Sequence, residues 1–202
     1  MLVLYPRNTA LIIVDVQVDF CSPEGKSAKY GGGLKHIGTM LPNLKLFHEK
    51  ISKMGLLTIF TRYISKEIGR PSNLELLTSL SKLFPVCVEG TSGSEIYKLH
   101  PTPKDIMIDK LYYDAFAGTT LLAELRKNGI QNILITGVWT EICVDTTAKR
   151  ALAEGFNVII LKDLVSTIDE RVNRHNTVLE DFDRYFGFVK SSNEILELLE
   201  NK

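Results

Sequence analysis

Three residues that could together perform nucleophilic chemistry each follow an apolar, strand-like run of the sequence. Asp15 ends TALIIVD, Lys110 ends DIMIDK, and Cys143 comes shortly after NILITGV. If these runs are parallel strands of one sheet, their carboxyl ends meet at one edge, and a carboxylate, an ammonium group and a thiol share a crevice. Each residue also has a structural explanation when it is taken singly. Asp15 could cap a turn, Lys110 could be a solvated strand end, and Cys143 could be a thiol packed in the core.

Their joint chemistry would be that of a nucleophilic cysteine. The start of a predicted helix and the charge of Lys110 are expected to favour the Cys143 thiolate, since both attract negative charge. Asp15 could accept the thiol proton and pass it to a leaving amine. Backbone N–H groups of Trp139 and Cys143 could bind the oxyanion of a tetrahedral intermediate. Asp19 lies further from the strand end, so we expect it to fix the following loop by hydrogen bonds.

The elements that must position these residues alternate between strand and helix patterns. Apolar, β-branched runs predict six strands, over residues 9–16, 56–62, 105–110, 132–138, 156–163 and 186–190. Helical spacing of apolar residues, followed each time by a glycine, is found over 36–54, 119–128 and 141–154. Strands that are apolar throughout are typical of a parallel sheet buried on both faces. The sequence predicts a single domain over 1–202, a Rossmann-like, three-layer α/β/α sandwich with a six-stranded parallel sheet.

Irregular stretches surround the predicted site. Gly137 interrupts the fourth apolar run, and we expect the strand to end there in a sharp turn. The segments 21–34 and 63–104 are rich in glycine, proline and polar residues, and both follow strands at the same sheet edge. We expect these two segments to form walls or a lid of the site.

Composition excludes several classes of function. Lys and Arg together number 24, as do Asp and Glu, and no block of one sign occurs, so neither nucleic acid nor a membrane surface is an expected partner. No apolar run approaches the ~20 residues of a membrane-spanning helix, and no signal-peptide pattern is found, so a cytoplasmic location is expected. The cysteines form no CxxC pair, which argues against a disulfide scaffold. The histidines lack ligand spacing, and neither a metal nor another cofactor is expected.

Three stretches of the sequence together resemble one enzyme family, the isochorismatase-like cysteine hydrolase superfamily. The resemblance is carried by ALIIVDVQVDF, DKLYYDAFAGTTLLAELRKNGI and NILITGVWTEICVDTTAKRALAEGFNVIILKD, and it runs from about residue 8 to 190. It implies that Asp15 is the general base and acid, that Lys110 stabilises the thiolate and orients Asp15, and that Cys143 is the nucleophile. It also implies a six-stranded parallel sheet and a homodimer or homotetramer. A non-proline cis peptide bond, which turns N–H groups toward the oxyanion, is implied at Val138–Trp139.

Departures from the family pattern favour some of the family's reactions over others. Metal-dependent nicotinamidases carry histidines after the second strand, where this chain has FTRYISKEIGRPSN, so that activity is disfavoured. Siderophore-pathway isochorismatases often lack the cysteine, so its presence favours C–N cleavage. The stretches most similar to the carbamoylsarcosine amidase, ureidoacrylate and biuret hydrolase branch are GTSGSEIYKLHPTPKDIMIDKLYYDAF and DRYFGFV. Asp114 stands where the family often has Ser or Asn, which bears on the polarity of the pocket.

The expected function is hydrolysis of a C–N bond in a small carbamoyl, ureido or amide substrate through a thioester on Cys143. Arg62 or Gln17 is expected to anchor a carboxylate or carbonyl group of this small molecule. The predicted substrate-binding residues, for whose aromatic members core packing is the alternative, are Gln17, Phe20, Arg62, Tyr113, Phe116 and Trp139. Three other functions stay open. The first is isochorismatase-type vinyl-ether hydrolysis, which needs Asp15 but not Cys143. The others, which are less favoured, are a metal-dependent nicotinamidase and ligand binding at a dormant site.

Overall fold

The protein, which a computed structural model describes over residues 3–66, 71–81 and 85–200, is built around one sheet of six parallel strands. The strand order is β3-β2-β1-β4-β5-β6. The strands are β1 (Thr9–Val14), β2 (Leu57–Tyr63), β3 (Ile106–Lys110), β4 (Asn132–Val138), β5 (Asn157–Ser166) and β6 (Phe188–Lys190). All six predicted strands and the α/β/α sandwich are confirmed.

Helices cover both faces of this sheet. They are α1 (Val18–Cys21), α2 (Lys26–Lys29), α3 (Lys35–Lys53), α4 (Ser72–Ser81), α5 (Leu121–Lys127), α6 (Asp145–Ala153), α7 (Val172–Tyr185) and α8 (Ser192–Glu200). Short 3-10 turns lie at Pro6–Asn8, Ser92–Ser94 and Asp169–Arg171, and a π-helical turn lies at Thr140–Val144. In the part of the chain that the structure describes, no helix is both long and apolar enough to cross a membrane.

The apolar core has two layers, one on each side of the sheet. The layer beneath α3 and α8 receives Leu11 and Ile13 from β1, and the layer beneath α5 and α6 receives Ile12 and Val14. Successive side chains of a strand point to opposite faces, so β1 contributes to both layers and is buried along its whole length. This two-sided burial explains why the strands read as continuous apolar runs rather than as alternating ones.

Gly137 lies inside β4, so the predicted strand end at this residue is wrong. The strand continues through Val138, and Gly137 pairs in register with Val14 of β1. A Cβ atom at Gly137 would stand 2.1 Å from the Val14 carbonyl oxygen, and its φ of 107° is one that residues with side chains rarely adopt. The glycine is therefore explained by the close approach of β1. The peptide bond that follows, Val138–Trp139, is cis, as the resemblance implies.

The site forms where the strand order reverses. The chain lays down β1, β2 and β3 in one direction and then places β4 on the other side of β1. In sheets of this kind the ligand crevice lies beyond the carboxyl ends of the strands at such a switch point. Asp15 follows β1, Lys110 ends β3, and Cys143 lies in the π-helical turn after β4. All three therefore lie at the predicted edge.

The two predicted irregular segments lie at the same edge and contain short elements of their own. The first, 21–34, includes α2, and the second, 63–104, includes α4 and the Ser92–Ser94 turn. Residues 67–70 and 82–84 of the second segment lie outside the described residues.

Candidate active site

Asp15 is a buried carboxylate on a conformationally constrained backbone. It has a φ of 51° and its side chain is 0% exposed. A positive φ at a residue other than glycine costs on the order of 1–3 kcal/mol, and such residues cluster at functional sites. Oδ1 accepts a 2.8 Å hydrogen bond from Thr61 Oγ1, and Oδ2 lies 2.7 Å from Lys110 Nζ. The carboxylate is thus held from β2 and from β3.

Lys110 places a charged ammonium group beside this carboxylate. Its side chain crosses β2 to reach Asp15, and Nζ also donates to the carbonyl oxygens of Tyr112 at 3.0 Å and Tyr113 at 3.1 Å. The group lies 5.5 Å from the centre of the Tyr63 ring. Burial alone lowers the pKa of Lys110, but attraction to Asp15 and Cys143 outweighs burial, and the pKa is raised. Lys110 is therefore a cation throughout the neutral range.

Cys143 completes the cluster from the π-helical turn. The turn is closed by the Trp139 carbonyl oxygen, which accepts from Ile142 N at 3.0 Å and from Val144 N at 3.2 Å. A π-helical turn within a helix is rare and is often found at functional sites. The buried thiol lies close enough to Asp15 and Lys110 for both side chains to shift its pKa. The structure thus brings the three predicted catalytic residues together.

The thiol of Cys143 is protonated in the resting protein. Burial raises its pKa, and the opposing effect of Lys110 does not compensate, because the Asp15 carboxylate also raises it. Lys110 lowers the pKa of the Cys143 thiol, as predicted, but burial and Asp15 together outweigh this effect. A protonated nucleophile needs an acceptor for its proton, and the neighbouring Asp15 carboxylate can be that acceptor.

A cavity of about 300 Å³ opens over Cys143. Of the predicted substrate-binding residues, Phe20, Tyr113 and Trp139 line it. The other lining residues are Ser27, Tyr30, Gly32, Tyr63, Ser65, Leu74, Leu77, Pro85, Val86, Ile142, Ile168 and Arg171. Both predicted irregular segments thus contribute walls, and most of the lining side chains are apolar or aromatic.

Gln17 and Arg62, predicted to anchor substrate, do not line this cavity. The Gln17 amide is fully buried: Nε2 donates to the carbonyl oxygens of Tyr63 and Ser94, both at 2.9 Å, and Oε1 accepts from Tyr63 N at 2.8 Å. Arg62 forms two hydrogen bonds with the carboxylate of Asp109, at 2.7 and 2.9 Å. Both predictions are corrected: Gln17 joins the end of β2 to the 3-10 turn, and Arg62 joins β2 to β3.

Phe116 and Asp114 also lie away from the cavity. Phe116 is buried in the layer beneath α5 and α6, with its ring 6.4 Å from that of Phe156. Phe116 therefore belongs to the core, which was the alternative interpretation of this residue. Asp114 Oδ1 accepts from the Phe116 backbone N–H at 2.8 Å, so its carboxylate stabilises a turn and does not line the pocket.

Asp19 fixes the loops around the site, as predicted. Its Oδ1 accepts from Lys26 N at 3.1 Å, and its Oδ2 accepts from Cys87 N at 2.7 Å. A Cβ atom at Gly93 would lie 2.4 Å from Asp19 Oδ2, so only glycine fits beside this carboxylate.

All three cysteines are free and buried. Among the described residues, no group of three or more His, Cys, Asp or Glu side chains is arranged to hold a metal ion.

Arg171 and Tyr63 line the cavity but were missed from the sequence. The Tyr63 ring stacks on that of Tyr113, with centroids 6.1 Å apart. Arg171 lies over the Trp139 ring, 5.1 Å from its centre. Tyr63 is the last residue of β2, and Arg171 comes shortly after the end of β5. This position at the carboxyl edge of the sheet is the feature of the sequence that could have identified both as cavity residues.

Comparisons with known proteins identify the family of this chain and agree with its fold. A sequence model of the isochorismatase domain matches residues 9–194. The ureidoacrylate amidohydrolase RutB of Pantoea ananatis (strain LMG 20103) is 24% identical over 201 residues, which cover 92% of this chain and 80% of the relative. A cysteine hydrolase from Pseudomonas syringae pv. phaseolicola 1448A has a similar structure, with a TM-score of 0.86, 22% identity, and coverage of 100% of this chain and 96% of that one. N-carbamoylsarcosine amidase from Thermoplasma acidophilum has a TM-score of 0.75 at 24% identity, covering 92% of this chain and 97% of that one.

Proposed function

Because the chain belongs to the isochorismatase family, we propose that it is a cysteine amidohydrolase that cleaves a C–N bond of a small carbamoyl, ureido or amide substrate. The proposal rests on one observation: the thiol of Cys143 lies at a cavity and within electrostatic reach of the buried Asp15–Lys110 ion pair. The relatives described as a ureidoacrylate amidohydrolase and an N-carbamoylsarcosine amidase support C–N cleavage as the reaction.

The first half-reaction acylates the cysteine. Cys143 Sγ attacks the substrate carbonyl carbon while its proton passes to the Asp15 carboxylate. The positive charge of Lys110 remains beside the sulfur and stabilises the thiolate character that develops. Backbone N–H groups of Trp139 and Cys143 hold the oxyanion of the tetrahedral intermediate. The C–N bond then breaks, and Asp15 returns the proton to the leaving nitrogen, which departs as ammonia or an amine.

The second half-reaction restores the enzyme. Asp15, again a carboxylate, takes a proton from a water molecule that attacks the thioester carbonyl carbon. The C–S bond breaks, the sulfur recovers the proton from Asp15, and the carboxylic or carbamic acid leaves. General acid–base catalysis of this kind contributes roughly 10²–10⁴-fold. The raised thiol pKa fits this scheme, because the proton of Cys143 is transferred only when a substrate is attacked.

Replacing Cys143 with Ala tests the mechanism. We expect ammonia release from a panel of ureido acids, carbamoyl amino acids and simple amides to fall to background. Cys21→Ala is the matched control, because Cys21 is also a buried free thiol but does not line this cavity. Unchanged turnover in Cys143→Ala would contradict the mechanism. Vinyl-ether hydrolysis that survives Cys143→Ala but is lost in Asp15→Asn would assign the isochorismatase reaction instead.

A further inference from the structure

Arg171 is the one charged side chain among the described residues that line the cavity. It ends the 3-10 turn before α7 and reaches the cavity from the carboxyl end of β5. Its guanidinium carbon lies 5.1 Å from the centre of the Trp139 ring, within the range of a cation–π interaction. Trp139 closes the turn that carries Cys143, so this positive charge lies beside that turn.

A buried carboxylate fixes the guanidinium group. Arg171 Nη1 donates to Glu141 Oε1 at 3.4 Å, and the same oxygen accepts a 2.9 Å hydrogen bond from Thr167 Oγ1. Glu141 belongs to the same π-helical turn as Cys143, and its side chain is only 7% exposed. Within the described residues, Nη1 is the only guanidinium nitrogen with a side-chain partner. A guanidinium group carries five N–H donors, so most of them can serve a ligand.

The rest of the cavity offers a ligand apolar contacts and two unused polar atoms. Ser27 Oγ and Trp139 Nε1, both from cavity-lining residues, have no hydrogen-bond partner in the part of the chain that the structure describes. Buried polar atoms without partners are uncommon in folded proteins, and a ligand with oxygen acceptors could satisfy them. Arg171 is the only positive charge that an anionic group of such a ligand would meet on the described walls.

We infer that Arg171 determines specificity by binding a carboxylate of the substrate, so that the enzyme prefers carbamoyl or amide compounds with an acid group over neutral ones. This inference rests on the proposed function of the same cavity. A planar guanidinium pairs with a carboxylate through two parallel hydrogen bonds. The cavity of about 300 Å³ lies at the lower end of ligand-site volumes, so the acid group and the scissile bond belong to one small molecule. The anchoring role predicted for Arg62 or Gln17 thus belongs to Arg171.

The test measures binding without turnover. Trp139 is the only tryptophan of the chain, so its fluorescence reports occupancy of the cavity. In a Cys143→Ala background, N-carbamoyl-L-valine is titrated against N-carbamoyl-L-valinamide, which differs only in having an amide for the carboxylate. Calorimetry provides a second readout. We expect the acid to bind about 10- to 100-fold more tightly than the amide, as for hydrogen bonds to a charged group. Arg171→Gln should abolish this preference, and Arg171→Lys, which keeps the charge but not the planar fork, should retain part of it.

Arg174→Gln is the matched control, because Arg174 lies one turn further along in the same region, is exposed and does not line the cavity. It should keep the full preference for the acid. Three results would each overturn the inference. The first is equal affinity of the Cys143→Ala protein for acid and amide, and the second is no binding of either compound at millimolar concentration. The third is an unchanged preference for the acid in a folded Arg171→Gln variant. Ammonia release by the protein with Cys143 intact tests the proposed function separately, so failure of one is distinguishable from failure of the other.

Discussion

Replacing Lys110 with Met is expected to lower the free energy of unfolding by about 3–5 kcal/mol, the range found when one member of a buried ion pair is removed. The Lys110–Asp15 pair has an N–O distance of 2.7 Å and both side chains are 0% exposed. Met resembles Lys in length, so the loss reflects the charge rather than a cavity. The remaining Asp15 carboxylate would keep the hydrogen bond from Thr61 Oγ1 but would have no cation beside it.

The matched control is Lys149→Met. The Lys149–Asp145 pair has the same 2.7 Å N–O distance, but its side chains are 41% and 16% exposed. An ion pair in contact with water contributes only about 0–1 kcal/mol, because solvent screens the charges. The two ion pairs therefore have the same N–O distance but differ in burial, and Lys110 also donates to the carbonyl oxygens of Tyr112 and Tyr113. The difference between the two losses in free energy of unfolding measures the contribution of the buried ammonium group with these partners.

The assay is urea unfolding at neutral pH, followed by circular dichroism and by Trp139 fluorescence. Since the pKa of Lys110 is raised in the folded protein, the stabilisation that this shift represents is complete below its ordinary value of 10.5 and is lost only as the pH rises through the folded value. Unfolding at neutral pH therefore measures the full contribution of the ion pair to the free energy of unfolding. A Lys110→Met loss no larger than that of Lys149→Met would refute the reasoning. The double variant Asp15→Asn/Lys110→Met should recover part of the stability, since it leaves no unpaired charge.

Two further predictions follow from cysteine protonation and from strand spacing. Because burial raises the pKa of Cys143, iodoacetamide should alkylate the native protein slowly at neutral pH and faster as the pH rises, as measured by mass spectrometry. Rapid alkylation at neutral pH would contradict the protonated resting state. Gly137→Ala should cost more stability than Gly55→Ala, because both glycines have positive φ but only the new Cβ at position 137 would meet the Val14 carbonyl oxygen. The positive φ alone costs roughly 1–2 kcal/mol for alanine, and equal melting temperatures for the two variants would refute the argument.

The sheet and the catalytic cluster could be predicted because both follow from the ends of apolar runs. Strands buried on both faces leave a long signal, and a parallel sheet directs every carboxyl end to one edge. Asp15 and Lys110 could therefore be placed together although 94 positions separate them in the chain. The positions of the apolar runs predict which residues lie at that edge. They do not predict which of those side chains face the cavity.

The cavity walls could not be predicted because they depend on tertiary partners. Arg62 and Gln17 both lie near strand ends, but Asp109 and the backbone of Tyr63 occupy their polar groups. Arg171 carries no local pattern that distinguishes it from other charged residues, and its role follows from contacts with Trp139 and Glu141. The direction of the thiol pKa shift depends on the depth of burial, which a sequence does not give.

The buried ion pair and the raised thiol pKa have one common explanation. In the resting site Lys110 is a cation, Asp15 is an anion and the Cys143 thiol is neutral. When the thiol proton passes to Asp15, the negative charge moves to sulfur, which lies within electrostatic reach of Lys110. The cluster thus holds one positive and one negative charge before and after the transfer, so the step adds no net charge to a buried region. A variant that keeps Asp15 and Cys143 but lacks Lys110 would instead move a lone negative charge between two buried atoms. We therefore expect Lys110→Met to lose activity as well as stability, whereas Asp15→Asn should lose the proton acceptor and reduce ammonia release even where it folds.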